Sequence, residues 1–205
     1  MKRLAILGAG GHGKVVADTA ESCGWQCIEF FADDWPARTL NGYWPITGDT
    51  TSLLSRVGEF DAVIVAIGNN SVRLAKVEAL EAAGGQLATL VHPSAVISPR
   101  ALVGAGSVVF AGVVINVDAR VGRGTILNTG CSVDHDCQLG NFTHISPGAR
   151  LAGGVQVGDL SWVGIGASVK QSIQIGQKVI VGAGSVVVSD ITDSLTVVGV
   201  PAKAL

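Results

Sequence analysis

The residues best suited to chemistry lie between positions 128 and 144: Asn128, the triplet Asp134-His135-Asp136, and His144. Two of the chain's four histidines fall here, and one stands between two carboxylates. A carboxylate beside an imidazole orients the ring and supports it as a general base near neutral pH. A solvated turn can carry the same residue types, and a single histidine would say no more than that. Zinc binding is the competing chemistry, because histidines on neighbouring copies of a chain can share an ion. A third ligand is missing, however: His92 is remote, and Cys131 and Cys137 belong to an inward-facing set. No metal is expected.

The stretch that must hold these groups has one dominant regularity. From Val91 to Val187 every sixth residue is Val, Ile or Leu, and the frame never slips. The position two before is mostly small (Ala95, Ser107, Ala119, Thr125, Cys131), and the one after is often a turn former (Gly104, Asn116, Gly122, Asn128, Asp134). A period of six fits neither a helix nor an alternating strand. It fits a parallel β-helix of hexapeptide repeats, with aliphatic residues pointing inward and small residues at the corners. Three hexads make one triangular coil, and successive coils stack at strand spacing, roughly 4.8 Å. The polar cluster then projects outward. His135 and His144 are half a coil apart, so they would meet only across an interface between symmetric copies. The outward apolar residues Val114, Leu160, Trp162 and Ile180 have no evident partner within the chain, and such an interface would cover part of them.

The first 90 residues read differently. Arg3 to Leu7 is a short buried strand, followed by Gly8-Ala9-Gly10-Gly11-His12-Gly13 and a helical pattern from Lys14 to about Cys23. A second strand from Gln26 to Phe31 ends at Asp33-Asp34. A third, Asp61 to Ile67, leads through Gly68-Asn69-Asn70 into a helix from Ser71 to Ala83, and a short strand lies near Gln86 to Leu90. Residues 35–58, with Pro36, Gly42, Pro45 and Gly48, read mostly as loop. Alternating strands and helices indicate a small parallel α/β domain. The glycine loop sits where a strand-to-helix turn can offer backbone N–H groups to a phosphate, and the aspartate pair where a ribose or base is commonly held. Equally, the glycines can serve only a tight turn and the aspartates only a solvated loop. The expected domains are 1–90, Rossmann-like, and 91–205, the β-helix with a C-terminal tail.

Composition narrows the partners. With 14 basic and 16 acidic residues and no charge block, nothing points to nucleic acid. The N-terminal apolar run ends in the glycine loop, so no signal peptide is read. The apolar segment from Leu102 to Val117 carries Gly104, Gly106 and Gly112 within the hexad frame, which argues for a solenoid interior over a membrane span. Reduced thiols and a cytoplasmic location are expected.

Several of these segments together resemble bacterial nucleotide-sugar N-acetyltransferases of the PglD type and the related NeuD-type sialic acid O-acetyltransferases. They are Ile6 to Gly13, Phe31-Ala32-Asp33-Asp34, Ala66 to Asn70, Ile126 to Thr129, Val133 to Cys137, Phe142 to Ser146 and the tail Val198 to Lys203. The resemblance implies an N-terminal Rossmann-like domain and a left-handed parallel β-helix, assembled as a homotrimer. It implies that a UDP-linked amino sugar is held by Gly10, Gly11 and His12 near its phosphates, Asp33 and Asp34 near the uridine, and Gly68. It implies that acetyl-CoA contacts His144, Gly153, Ile165 and Ala183, and that His135 is the general base, oriented by Asp136. Two departures stand out. The residue after the catalytic histidine is often Glu in this family and is Asp136 here, with a shorter reach. The basic pair often found after the Gly-Asn-Asn segment is reduced to Arg73-Leu74.

The expected activity is acetyl-CoA-dependent N-acetylation of a UDP-linked amino sugar, a 4-amino-4,6-dideoxyhexose, in bacterial glycan biosynthesis. Transfer would be direct, with the Gly153 N–H stabilising the oxyanion. Acetylation of a sialic acid or another sugar hydroxyl is the alternative enzyme reading. A nucleotide-sensing scaffold is the non-enzymatic one.

Overall fold

In the computed structural model, which describes residues 1–205, the chain forms two units, Met1–His92 and Pro93–Leu205. The first is organised on β1 (Arg3–Leu7), whose residues from Leu4 onward are buried. Burial on both faces is what a central parallel strand requires. β2 (Cys27–Phe31) and β5 (Ala62–Val65) flank β1 in parallel, β4 (Trp44–Gly48) continues parallel to β2, and β3 (Leu40–Asn41) closes the edge antiparallel to β4. The helices are α1 (Gly11–Ser22), α2 (Thr50–Arg56) and α3 (Asn70–Ala82).

Residues 35–58 are therefore not mostly loop, because β3, β4 and α2 lie within them. β4 contains Pro45 and pairs with β2 through a register shift at Phe30/Phe31, so its sequence lacks a clean strand pattern. α2 is capped by Asp49, whose side chain accepts from the Ser52 N–H at 2.7 Å, the usual role of Asp at a helix start. Near the end of the unit, residues 86–90 give an isolated bridge, Val63 to Leu87, before the short strand Leu90–Val91.

The second unit is a parallel β-helix of two-residue strands with register partners 18 residues apart, except at its last coil, where Ile180 pairs with Thr196 of the three-residue strand Thr196–Val198. Sheet I runs through Val96, Val114, Ser132, Arg150, Ser168 and Val186. Sheet II runs through Leu102, Arg120, Gln138, Gln156 and Gln174. Sheet III runs through Val108, Ile126, His144, Trp162, Ile180 and Thr196, with Lys203–Ala204 folding back antiparallel. The second residue of each strand points inward: Leu127, Val133, Ile145 and Val163 are fully buried. Cys131 and Cys137 fill corners at 0 % exposure, and burial pushes the Cys131 thiol up to about 12. One corner stacks hydroxyls, and these are satisfied. Ser107 Oγ accepts from the Thr125 N–H at 3.0 Å, Ser161 Oγ accepts from the Val179 N–H at 2.9 Å, and Ser161 Oγ donates to the Gly176 carbonyl at 2.7 Å.

This architecture makes stability a matter of stacked rows. Leu127→Ala should cost about 2–5 kcal/mol by opening a void between Val109 and Ile145 in its row. Thermal melting of the variant beside the parent checks this; an unchanged melting temperature would mean that the row contributes little.

Candidate active site

His135 lies in the turn between the sheet I strand Ser132–Val133 and the sheet II strand Gln138–Leu139. Its imidazole is exposed, and Nδ1 lies 2.7 Å from Asp136 Oδ2. The Asp136 hydrogen bond, with the Asp134 charge, raises the histidine's pKa. Asp136 has φ 60, in the left-handed region, as do Asp118 and Gly154 in the stacked turns. Among residues with a side chain, Asp and Asn tolerate that region best. The shorter carboxylate therefore suits the turn and still reaches the ring.

The other end of the imidazole faces Gly153, 18 residues on. A methyl group on the Gly153 α-carbon would overlap His135 Cε1 and Nε2. A side chain at Gly153 would take the space that the His135 ring occupies. Its N–H donates to no group of the chain, whereas the next residue's N–H is taken by the His135 carbonyl at 2.9 Å. Gly153 itself is buried beneath the ring, and an N–H without an internal partner beside an imidazole is the kind of donor that can receive a developing oxyanion.

His144 has a different character. It is only 6 % exposed and stacks on Trp162, with ring centroids 4.4 Å apart. Asn128 Nδ2 lies 3.1 Å from its Nε2, and Asn128 Oδ1 is fixed by accepting from the Thr129 N–H. An amide nitrogen only donates, so Nε2 accepts and the ring proton sits on Nδ1. His144 is consequently occupied where a base would need to be free. Trp162, expected to lack a partner, has this one and a second, its Nε1 donating to Ser146 Oγ at 2.7 Å. Sequence reading did not assign Trp162 to the site, although its place 18 residues after His144 predicts the stack. His144, Trp162, Ile165, Ile180 and Ala183 line an apolar groove of about 620 Å³. Gly153 is not among its walls. The four residues expected to contact acetyl-CoA thus divide: three form a groove at the turn between sheets III and I, and Gly153 joins the base at the turn between sheets I and II.

In the first unit the expected nucleotide-sugar residues gather at the carboxyl ends of β1, β2 and β5, the side where parallel sheets bind ligands. The glycines sort into two kinds. Gly8 has φ +111, and a side chain there would meet the Ala66 carbonyl at 2.8 Å; one at Gly13 would overlap the Gly8 carbonyl. Packing explains both. Gly10, Gly11 and Gly68 face open space. α1 starts at Gly11 with no side-chain cap and no acidic residue in its first turn, leaving its N-terminal dipole available to an anion. Asp34 pairs with Arg38 at 2.9 Å, and Arg38 also donates to the Ala9 carbonyl at 2.5 Å, joining the two loops. Asp33 accepts from the Thr50 N–H at 3.0 Å and pairs with Lys76 at 3.2 Å; its hydrogen bonds to Thr50, then Lys76, lower its pKa. Arg73 is 1 % exposed and donates to the Ile67 and Gly68 carbonyls and to Asn70 Oδ1. It braces the Gly68 turn from within. Burial, with the charge of Arg73, pushes His12 down to about 4, so His12 is neutral at physiological pH. No group of three His, Cys, Asp or Glu side chains converges as a metal site. No helix is long and apolar enough to cross a membrane.

A β-helix of hexapeptide repeats with an exposed imidazole–carboxylate pair and an apolar groove is the architecture of the hexapeptide-repeat acyltransferase class. The comparisons agree. The PglD N-terminal domain family matches residues 3–80. The acetyltransferase domain of PglB from Neisseria gonorrhoeae is 42% identical with a TM-score of 0.95, covering 100% of both chains. PerB from Caulobacter crescentus, solved with CoA and GDP-perosamine, is 41% identical with a TM-score of 0.94, covering 100% of this chain and 98% of that one. A UDP-N-acetylbacillosamine N-acetyltransferase of Bacillus subtilis is 40% identical over 113 residues, which span 54% of this chain and about half, 52%, of that curated relative. The chain belongs to this family of acetyl-CoA-dependent nucleotide-sugar N-acetyltransferases.

Gly153→Ala should displace the imidazole and lower turnover by roughly 10²-fold. Gly153 does not have a left-handed backbone, so melting should be unchanged. Full activity in this variant would show that the ring does not need its observed position.

Proposed function

We propose that the chain transfers the acetyl group of acetyl-CoA to the amine of a UDP-linked 4-amino-4,6-dideoxyhexose, in the cytoplasm, for bacterial glycan synthesis. The observation that carries the reading is the His135 imidazole, anchored at Nδ1 by Asp136 and open at Nε2 beside the free Gly153 N–H. The sugar nitrogen attacks the thioester carbonyl carbon, and the Gly153 N–H donates to the oxygen that becomes negative. His135 takes the proton that the nitrogen must lose. The intermediate collapses with cleavage of the C–S bond, and the CoA sulfur recovers the proton from the imidazolium. The diphosphate lies on the Gly10-Gly11-His12 N-terminus of α1 and beside Gly68, with Asp33 and Asp34 toward the nucleoside.

The working form is a homotrimer. His135 and the groove of His144, Ile165 and Ala183 stand at turns on opposite edges of sheet I. One copy presents its base at one edge and its groove at the other, and three-fold symmetry brings each base to a neighbour's groove. The exposure of Ile165 and Ile180, 57 % and 49 %, supports a covering partner.

The substrate is tested by following thiol release from acetyl-CoA with UDP- and GDP-linked 4-amino sugars and free amino sugars. Turnover with the UDP sugar is expected; preference for the GDP sugar would correct the base, and turnover with none would overturn the reading. Assembly is tested by co-expressing His135→Ala with Ala183→Trp. Mixed trimers should regain activity that each variant lacks, whereas a fully active monomer in sedimentation would exclude shared sites.

His135→Ala should lower turnover roughly 10²–10⁴-fold with both Michaelis constants within a few-fold. The base works when neutral, so kcat/KM falls as pH drops through its raised pKa. Asp136→Asn removes the main cause of that rise, so the acid limb should move to lower pH with a smaller loss at the plateau. A folded His135→Ala enzyme near full activity would rule out the role.

A further inference from the structure

The turn that carries His135 is also held from the coil beneath it. Asn116 precedes Asp134 by one coil in the same column of sheet I, where Val114 pairs with Ser132. Its Nδ2 donates to Asp134 Oδ1 at 2.7 Å, and the same oxygen accepts the His135 backbone N–H at 2.8 Å. The next residue up the column, Ala152, offers no polar side chain. The two carboxylates beside the base thus have separate anchors: Asp136 is bonded to the ring, and Asp134 is bonded to Asn116 and the backbone.

We propose that Asn116 is a positioning residue of the reaction, fixing the Asp134 carboxylate so that its charge stays beside the His135 ring without taking the ring's hydrogen bond. The proposal rests on His135 as the base. Asp136 sets the ring's orientation, and Asp134 supplies a fixed field that favours the imidazolium formed as the amine loses its proton. The direction of the His135 shift agrees, since the Asp134 charge is second among its causes after the Asp136 bond. The surrounding charges are few. Asp134 and Asp136 share the turn with His135, Asp118 lies on the turn below, and Arg150 lines a depression of about 370 Å³ together with Asn116 and Asp134. Arg150 carries the opposite charge on the wall of that depression without pairing with Asp134, so an Asp134 released by Asn116 has a cation other than the ring to turn toward.

The experiment is an NMR titration of the His135 imidazole, assigned by its absence in His135→Ala, together with pH–rate profiles for Asn116→Ala and Asn116→Asp. In Asn116→Ala the carboxylate loses one of its two anchors, so the imidazole titration and the acid limb of kcat/KM should both move to lower pH. Plateau turnover should fall less than about ten-fold, as for one lost hydrogen bond, with Michaelis constants and melting nearly unchanged. In Asn116→Asp a second negative charge is added, and both should move to higher pH. Shifts in opposite directions cannot come from general loosening of the turn. An imidazole titration that stays put in both variants would overturn the proposal. If it shifts as expected while His135→Ala remains active, the assignment of the base fails and the brace stands.

Discussion

The constraint on which the second unit depends is the stacking of residue upon residue at intervals of 18, imposed by parallel pairing such as Val114 to Ser132 to Arg150. It packs the aliphatic row into a core, and it also decides which residues can act together. His135 faces Gly153 and His144 faces Trp162, each one coil apart. Asn116 lies one coil below Asp134. A strand slip would separate these pairs together, so the backbone ladder that stabilises the solenoid also fixes the geometry of the site.

Stability and chemistry are assigned to different positions of the hexad. The inward residues, such as Leu127 and Val133, are fully buried and carry the fold. The turns carry polar groups held by short-range hydrogen bonds, and the His135 imidazole is exposed. His135 can therefore change its charge without disturbing the core. His144 is the exception, since it has been drawn into the surface by Trp162 and Asn128. That burial is what separates two histidines that look equivalent in the sequence, one free at Nε2 and one committed there.

The β-helix was legible because its period is dictated by geometry and is repeated through the whole stretch, so no single residue had to be interpreted. The His135–Asp136 pair was legible because its members are adjacent. Trp162 was harder to place, and so was the contact of Gly153 with the His135 ring, since both depend on a neighbour one coil away that the sequence shows only once stacking is applied to every outward residue. In the first unit, residues 35–58 were misread because β4 combines Pro45 with an irregular register and owes its place to pairing with β2. Tertiary context, not local pattern, forms such a strand. The Asp49 cap of α2 was available as a local signal, but a helix of 7 residues has too little periodicity to support it.

The glycines of the first unit separate fold from function in a way that composition cannot. Gly8 and Gly13 are required by contacts of the chain with itself, and a larger residue at either would collide with backbone. Gly10, Gly11 and Gly68 are required by no such contact. At Gly10 and Gly11 the small size leaves backbone N–H groups accessible at the N-terminus of α1, which lacks a cap and an acidic first turn, the arrangement that phosphate oxygens fill; Gly68 instead lies just before α3, which is capped by the Asn69 side chain. Arg73 adds to it from below, since its guanidinium is spent on the carbonyls of Ile67 and Gly68. A cation used in this way stiffens the Gly68 turn and places a positive charge beneath the loop. The reduction of a basic pair to a single arginine is thus compatible with the proposed anion site at this end of the sheet, because that proposal rests the phosphates on backbone N–H groups.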